Sequence, residues 1–105
     1  MLFRSLYLHT IDLLKVAETN TTMNIFDECY ALQNITIEGV VAANVGFKHS
    51  SKLSDASVDS IIAALKDRNG TSTLTFTVHK DVYARMVASG KDALVTAKNW
   101  TLVSA

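Results

Sequence analysis

The sequence predicts an α/β fold, a short repeat solenoid of about four mostly parallel strands in chain order with helices and turns on the other face. Three observations carry that expectation. An apolar pattern recurs at constant spacing in the first half of the chain. Helical and strand periodicities alternate in the second half, the order that parallel pairing requires. The composition is that of one folded domain, with 105 residues, 49% hydrophobic content, no proline and one cysteine.

The repeat is the first element to justify. Leu8, Ile11, Leu13 and Val16 match Leu32, Ile35, Ile37 and Val40 at a constant offset of 24. The shared pattern L-x-x-I-x-[LI]-x-x-V turns alternate apolar side chains to one side of a short strand. Upstream of it, Leu2 and Ser5 match Phe26 and Cys29 at the same offset. Phe47, Ser50 and Leu53 repeat the F-x-x-[CS]-x-x-L lead-in after a slightly shorter interval. In a period of this size each unit supplies one strand and its return, and stacked units bury a shared core. Residues 1–53 therefore read as about two repeats, and residues 54–105 as a helix-strand-helix-strand unit that closes the open end.

The residues from Phe26 to Ile37 resemble the bacterial surface-antigen (BspA-like) class of leucine-rich repeat, whose F-x-x-C-x-x-L-x-x-I-x-I core recurs roughly every 23 residues. The second half resembles a unit that often closes such arrays in bacterial and phage-associated proteins. It carries Lys52-Leu53-Ser54, Ser57-Val58-Asp59-Ser60-Ile61-Ile62, Asp67 to Gly70-Thr71, Thr73-Leu74-Thr75 to His79, and Lys98-Asn99-Trp100-Thr101-Leu102. The resemblance implies a leucine-rich-repeat solenoid with a capping unit and no catalytic residues. It places the chain at a cell surface or on a phage particle if it is part of a longer exported or virion protein, and in the cytoplasm otherwise. One departure is that only about two repeats precede the closing unit.

The second half reads the same way on its own physics. Ser54 is a suitable N-cap, and Asp55 puts a negative charge in the first turn. Val58, Ile61, Ile62 and Leu65 form one apolar stripe of a helix ending near Lys66. Asn69-Gly70 is a stop and turn. Leu74, Phe76 and Val78 alternate with Thr73, Thr75 and Thr77, the period of a half-buried strand. A short helix from Asp81 to Val87 faces Val82 and Met86 inward. Ser89-Gly-Lys-Asp92 is a capping-box pattern that opens a further helix through Lys98. Trp100 and Leu102 belong to a last strand, and they match Phe76 and Val78 at the offset of the first repeat. Trp100 reads as the large plug of the closed end. Gly39, Gly46, Gly70 and Gly90 are isolated and read as turns.

Charge and motif content narrow the function classes. Ten basic residues balance ten acidic ones, so there is no basic stripe for nucleic acid or an anionic membrane surface. The apolar N-terminus fails as a signal peptide, because His9 and Asp12 interrupt it and no small-residue cleavage site follows. No run approaches the roughly 18 apolar residues of a membrane span. Sequons at Asn20, Asn34, Asn69 and Asn99 read as chance in a Thr- and Ser-rich chain, Asn34 falling inside an expected strand. A single cysteine excludes an internal disulfide framework, and Cys29 reads as a core residue of the repeat. His9, His49 and His79 have no metal-ligand spacing. There is no G-x-S-x-G elbow, dinucleotide fingerprint or phosphate-binding glycine loop, and no cofactor is expected.

Two surfaces remain as candidates. Thr36, Glu38, Thr73, Thr75 and Thr77 are expected to share one face of neighbouring strands as an interaction surface for a polypeptide. Leu2, Phe3, Leu6 and Tyr7 form an uncapped first repeat, a possible oligomer edge through which a homodimer would self-associate. The expected function is a non-enzymatic structural or protein-interaction module. The alternatives are a small self-associating protein and, more remotely, a small hydrolase.

Overall fold

The structure is a computed structural model that describes residues 9–19, 26 and 29–105. Its elements are β1 (Thr10–Val16), β2 (Asn34–Gly39), β3 (Val45–Phe47), α1 (Asp55–Ala64), β4 (Leu74–Val78), α2 (Lys80–Ser89), α3 (Lys91–Ala97) and β5 (Trp100–Ser104). The fold is mixed α/β, and all strand pairs among the described residues are parallel. They form two small sheets, β1-β2 and β3-β4-β5, in place of the single four-stranded sheet expected.

The repeated lead-in builds two equivalent turns. In the first, Cys29 N–H donates to Phe26 O and Leu32 N–H to Cys29 O. In the second, Ser50 N–H donates to Phe47 O and Leu53 N–H to Ser50 O. The turns lie one on the other. The Phe26 and Phe47 rings stack with centroids 4.6 Å apart, and the buried Ser50 hydroxyl donates to Cys29 O at 2.7 Å. Phe47 also meets Phe76 edge-on at 6.4 Å, so one ring ties the turns to the second sheet. Cys29, Leu32, Phe47 and Leu53 are fully buried.

Between β1 and β2 the observed register departs from a constant offset. Ile11 pairs with Ile35, but a bulge then makes Leu14 the partner of Ile37 and Val16 the partner of Gly39. The extra residue turns both Asp12 and Leu13 outward, so Leu13 is 50% exposed while Leu14 packs against the core. Leu13 is thus a surface residue, contrary to the pattern that matched it to Ile37. Gly39 cannot be replaced at its position. Its φ is +113°, and a Cβ there would lie 1.9 Å from the Val16 carbonyl oxygen.

Helix α1 explains why the first sheet stops at two strands. Ser54 caps it, accepting from Ser57 N–H, and Val58, Ile61 and Ile62 are buried. Its serines then take the place of a neighbouring strand. Ile35 N–H donates to Ser57 Oγ at 2.9 Å, Ser57 Oγ donates to Gln33 O, and Ile37 N–H donates to Ser60 Oγ at 2.9 Å. Because Ser57 and Ser60 are about one helical turn apart, they meet two alternate amides of β2. The helix covers the strand edge instead of lying on a sheet face, and β4 has no place beside β2. At the end of α1 the chain runs alongside Val41, with Val41 N–H donating to Ala64 O and Lys66 N–H to Val41 O.

The second sheet begins at β3, a strand the sequence did not suggest, which ends on the Phe47 that opens the second lead-in; Gly46 sits inside it opposite Thr77, not in a turn. Phe76 and Val78 are buried and Leu74 packs beside them, as the alternation predicted. In the β4-β5 register Leu74 pairs with Trp100 and Phe76 with Leu102, one alternation along from the expected match of Phe76 with Trp100. Trp100 is 2% exposed, and its Nε1–H donates to Lys66 O at 2.8 Å. The expected capping box at Ser89 is not formed. Ser89 Oγ bonds back to Arg85 O, and Gly90 at φ +79° both ends α2 and precedes α3.

Candidate interaction surfaces

The threonines of the predicted face are divided between the two sheets. Thr36 and Glu38 are exposed on β2, whose neighbours are β1 and helix α1. There Thr10 pairs with Asn34 and Lys15 with Glu38, and a recess of about 220 Å³ beside Thr36 and Ala56 runs between the strands and the helix. Thr75 and Thr77 lie on β4, half-buried, opposite Thr101 and Val103 of β5, while Thr73 is exposed just before the strand. Thr75 N–H donates to Asn44 Oδ1 at 2.8 Å. Thr36 and Glu38 are therefore not on a strand next to that of Thr75 and Thr77, because α1 occupies the edge of β2. Leu2, Phe3, Leu6 and Tyr7 lie outside the described residues.

A further surface was missed by sequence reading. A groove of about 450 Å³ between α1 and α3 is formed by Asp59, Ile62, Ala63, Leu94, Ala97 and Lys98. Leu94 is 52% exposed at its wall. Lys91 Nζ donates to Asp59 Oδ1 at 2.6 Å at one end, and Lys98 Nζ donates to Ile62 O and Leu65 O at the other. The spacing Lys91, Leu94, Lys98 on one helical face was the available signal. It has the pattern of an ordinary solvated helix, because nothing in the sequence shows that α3 lies alongside α1.

The His49 and His79 side chains have structural partners. His49 stacks on Tyr30 with ring centroids 4.6 Å apart, and His79 Nδ1 accepts from Asp81 N–H as the N-cap of α2. His9 is exposed, and its carbonyl accepts from Gln33 and Asn34 N–H. Cys29 is buried and not in a disulfide. No group of three or more His, Cys, Asp or Glu side chains among the described residues is arranged to hold a metal ion. Nor is any helix among them long and apolar enough to cross a membrane.

Two sequon asparagines hold the loops that follow α1 and α3. Asn69 Nδ2 donates to Asp67 Oδ1 and Ala97 O, and Asn99 Nδ2 donates to Arg68 O and Thr71 O. Asn34 lies in β2. Asp67 has its carboxyl held below the usual value of 3.8, chiefly by the Asn69 backbone N–H and then by the Asn69 amide. No family model, curated protein or solved structure matches the chain.

Proposed function

We propose that the chain is a non-enzymatic structural or protein-interaction module, built as a short leucine-rich-repeat-like solenoid with a closing unit. Its work is done by shape, by holding a face for a polypeptide partner. The bacterial or phage-related surface setting rests on the resemblance of its motifs.

One observation carries this reading. The two F-x-x-[CS]-x-x-L turns make the same pair of backbone hydrogen bonds and stack ring on ring, Phe26 on Phe47. Equivalent turns that bury equivalent residues against each other are what a repeat array requires, and a fold assembled from unlike parts has no need of them. The parallel pairing of β1 with β2 beside those turns supports the same reading.

The test is an insertion. Beyond the bulge the register sets Val16 against Gly39, so one repeat unit runs from Ala17 to Gly39, and a second copy of that segment is placed after Gly39, which keeps a glycine at the position facing the Val16 carbonyl. A modular array accepts the added unit, unfolds in one cooperative transition and gains denaturant sensitivity in proportion to the extra buried surface. An insertion that yields an unfolded or aggregated chain refutes the modular reading. Titration of the isotope-labelled protein with a polypeptide partner, once identified, then shows whether amides of β2 or of β4 shift.

A further inference from the structure

The chain holds six asparagines, and only Asn69 is followed by glycine. The others precede Thr21, Ile25, Ile35, Val45 and Trp100, whose side chains crowd the backbone nitrogen that follows each asparagine. That nitrogen decides the chemistry open to an asparagine, because it can attack the amide carbon of the preceding side chain. Glycine leaves the approach clear.

The structure places Asn69 where this freedom counts. Thr71 N–H donates to Arg68 O at 3.0 Å, which makes Asn69 and Gly70 the centre of a turn after α1. Both residues are exposed. Gly70 has φ +86°, nothing lies within 4 Å of where its Cβ would be, and its N–H bonds to no group among the described residues. Its nitrogen is open to water and is not committed to the fold.

The side chain of Asn69 has the opposite character, since its amide closes a joint. Nδ2 donates to Asp67 Oδ1 at 2.7 Å and to Ala97 O at 2.8 Å, so it ties the turn to the end of α3. From the other side Asn99, next to the buried Trp100, donates from Nδ2 to Arg68 O and Thr71 O, both at 2.9 Å. Only an amide suits the place of Asn69. Both of its partners are acceptors, and a carboxylate has no proton to give either of them.

We propose that Asn69 is a deamidation site, and that its conversion releases the turn after α1 from the loop that leads into β5. The proposal goes beyond the repeat reading and does not depend on it. The Gly70 amide nitrogen loses its proton to hydroxide and attacks Asn69 Cγ. The N–Cγ bond forms, the Cγ–Nδ2 bond breaks, and Nδ2 departs as ammonia after taking a proton from water. Water then opens the cyclic imide at either carbonyl and leaves an aspartyl or an isoaspartyl residue at position 69. The loss of ammonia makes each conversion permanent.

The two hydrogen bonds of the amide delay the attack. Both are exposed, so they break in local openings that leave the core folded. Once formed, the carboxylate stands against the Asp67 carboxylate and the Ala97 carbonyl, and the side chain swings out to water. The isoaspartyl form also adds a backbone carbon inside the turn, which displaces the Arg68 and Thr71 carbonyls that Asn99 holds. Deamidation thus marks the age of a molecule by loosening the entry to β5.

The experiment keeps the full chain at mildly alkaline pH and follows it over weeks by intact mass and peptide mapping. Position 69 gains the mass of an amide-to-acid conversion ahead of the other five asparagines, in both aspartyl and isoaspartyl forms. Hydrogen exchange is then read on the aged protein, separated by its added charge, and on Asn69→Asp. In both, exchange of the Arg68 and Thr71 amides rises about tenfold, the effect of losing the two hydrogen bonds of one exposed side chain. Adding Asp67→Asn to Asn69→Asp recovers part of the protection, because an amide at position 67 donates to the new carboxylate. A position 69 that stays an amide in the folded chain while the same chain converts in urea overturns the proposal. So do aged and variant proteins whose Arg68 and Thr71 amides exchange as in the unaltered chain.

Discussion

Replacing Ser57 by alanine is the sharpest test of α1 as a substitute for a strand. The hydroxyl accepts from Ile35 N–H at 2.9 Å and donates to Gln33 O at 3.1 Å, and Ser57 is only 3% exposed. Removing it leaves the Ile35 amide buried and unpaired, at about 1–3 kcal/mol. Gln33 O loses less, since it also accepts from Ser54 N–H at 2.7 Å. The sum is about 2.5 kcal/mol. With an unfolding entropy of about 2.1 cal/mol/K per residue over 105 residues, that loss lowers Tm by about 11 °C. Ser60→Ala, at a partly buried contact with Ile37 N–H, costs about 1 kcal/mol. Urea unfolding gives both losses, and hydrogen exchange reads them locally, with Ile35 amide protection falling in Ser57→Ala. A Ser57→Ala protein that loses less than about 0.5 kcal/mol and keeps that protection would show that the helix does not hold the strand edge.

Other expectations concern single positions. Gly39→Ala meets the Val16 carbonyl and an adverse φ together, so β1 and β2 must separate; urea unfolding should show a loss of about 4 kcal/mol or no folded protein. Asp67 titrates below 3.8 in the folded chain. Its depressed folded pKa means that its stabilising contribution is present above the unfolded value and is lost as pH falls through the folded one. An NMR titration of the carboxyl carbon gives the midpoint, and Asn69→Ala moves it upward. Cys29, with no exposed surface, should react with a thiol reagent only as fast as the chain unfolds; rapid labelling under native conditions would contradict its core position.

The parts of the fold legible in the sequence were those in which one residue type does one job. Ser54, the Val58-Ile61-Ile62 stripe and the alternation through Phe76 and Val78 indicate a helix and a strand where the structure has them. The repeat was legible because Ile11 and Ile35 do pair. The bulge was hidden because Leu13 and Leu14 are both apolar, so either could be read as the inward residue. The β4-β5 register was ambiguous for a different reason. A shift by one full alternation keeps every side chain on its face, so apolar matching cannot tell Phe76 from Leu74 as the partner of Trp100. The serines of α1 looked like a polar helix face because the partner that gives them meaning, β2, lies far upstream in the chain. The threonine surface was split for the same reason, since the position of α1 decides which strands are neighbours.

The parallel pairing also governs how the chain reaches this fold. Ile11 pairs with Ile35, Leu74 with Trp100 and Val45 with Phe76, and the three loops so closed are of similar length. Closing them differs in entropy by only about 0.2 kcal/mol, so no strand pair has a head start, and there is no hairpin among the described residues to form first. The order of assembly then falls to the side chain common to both regions. Phe47 touches Phe26 in the stacked turns and Phe76 in the second sheet, and neither contact is complete without it. That ring therefore couples the two regions in the folded chain, and pairing strands only across such intervals, with no hairpin among the described residues, is the kind of topology that folds slowly.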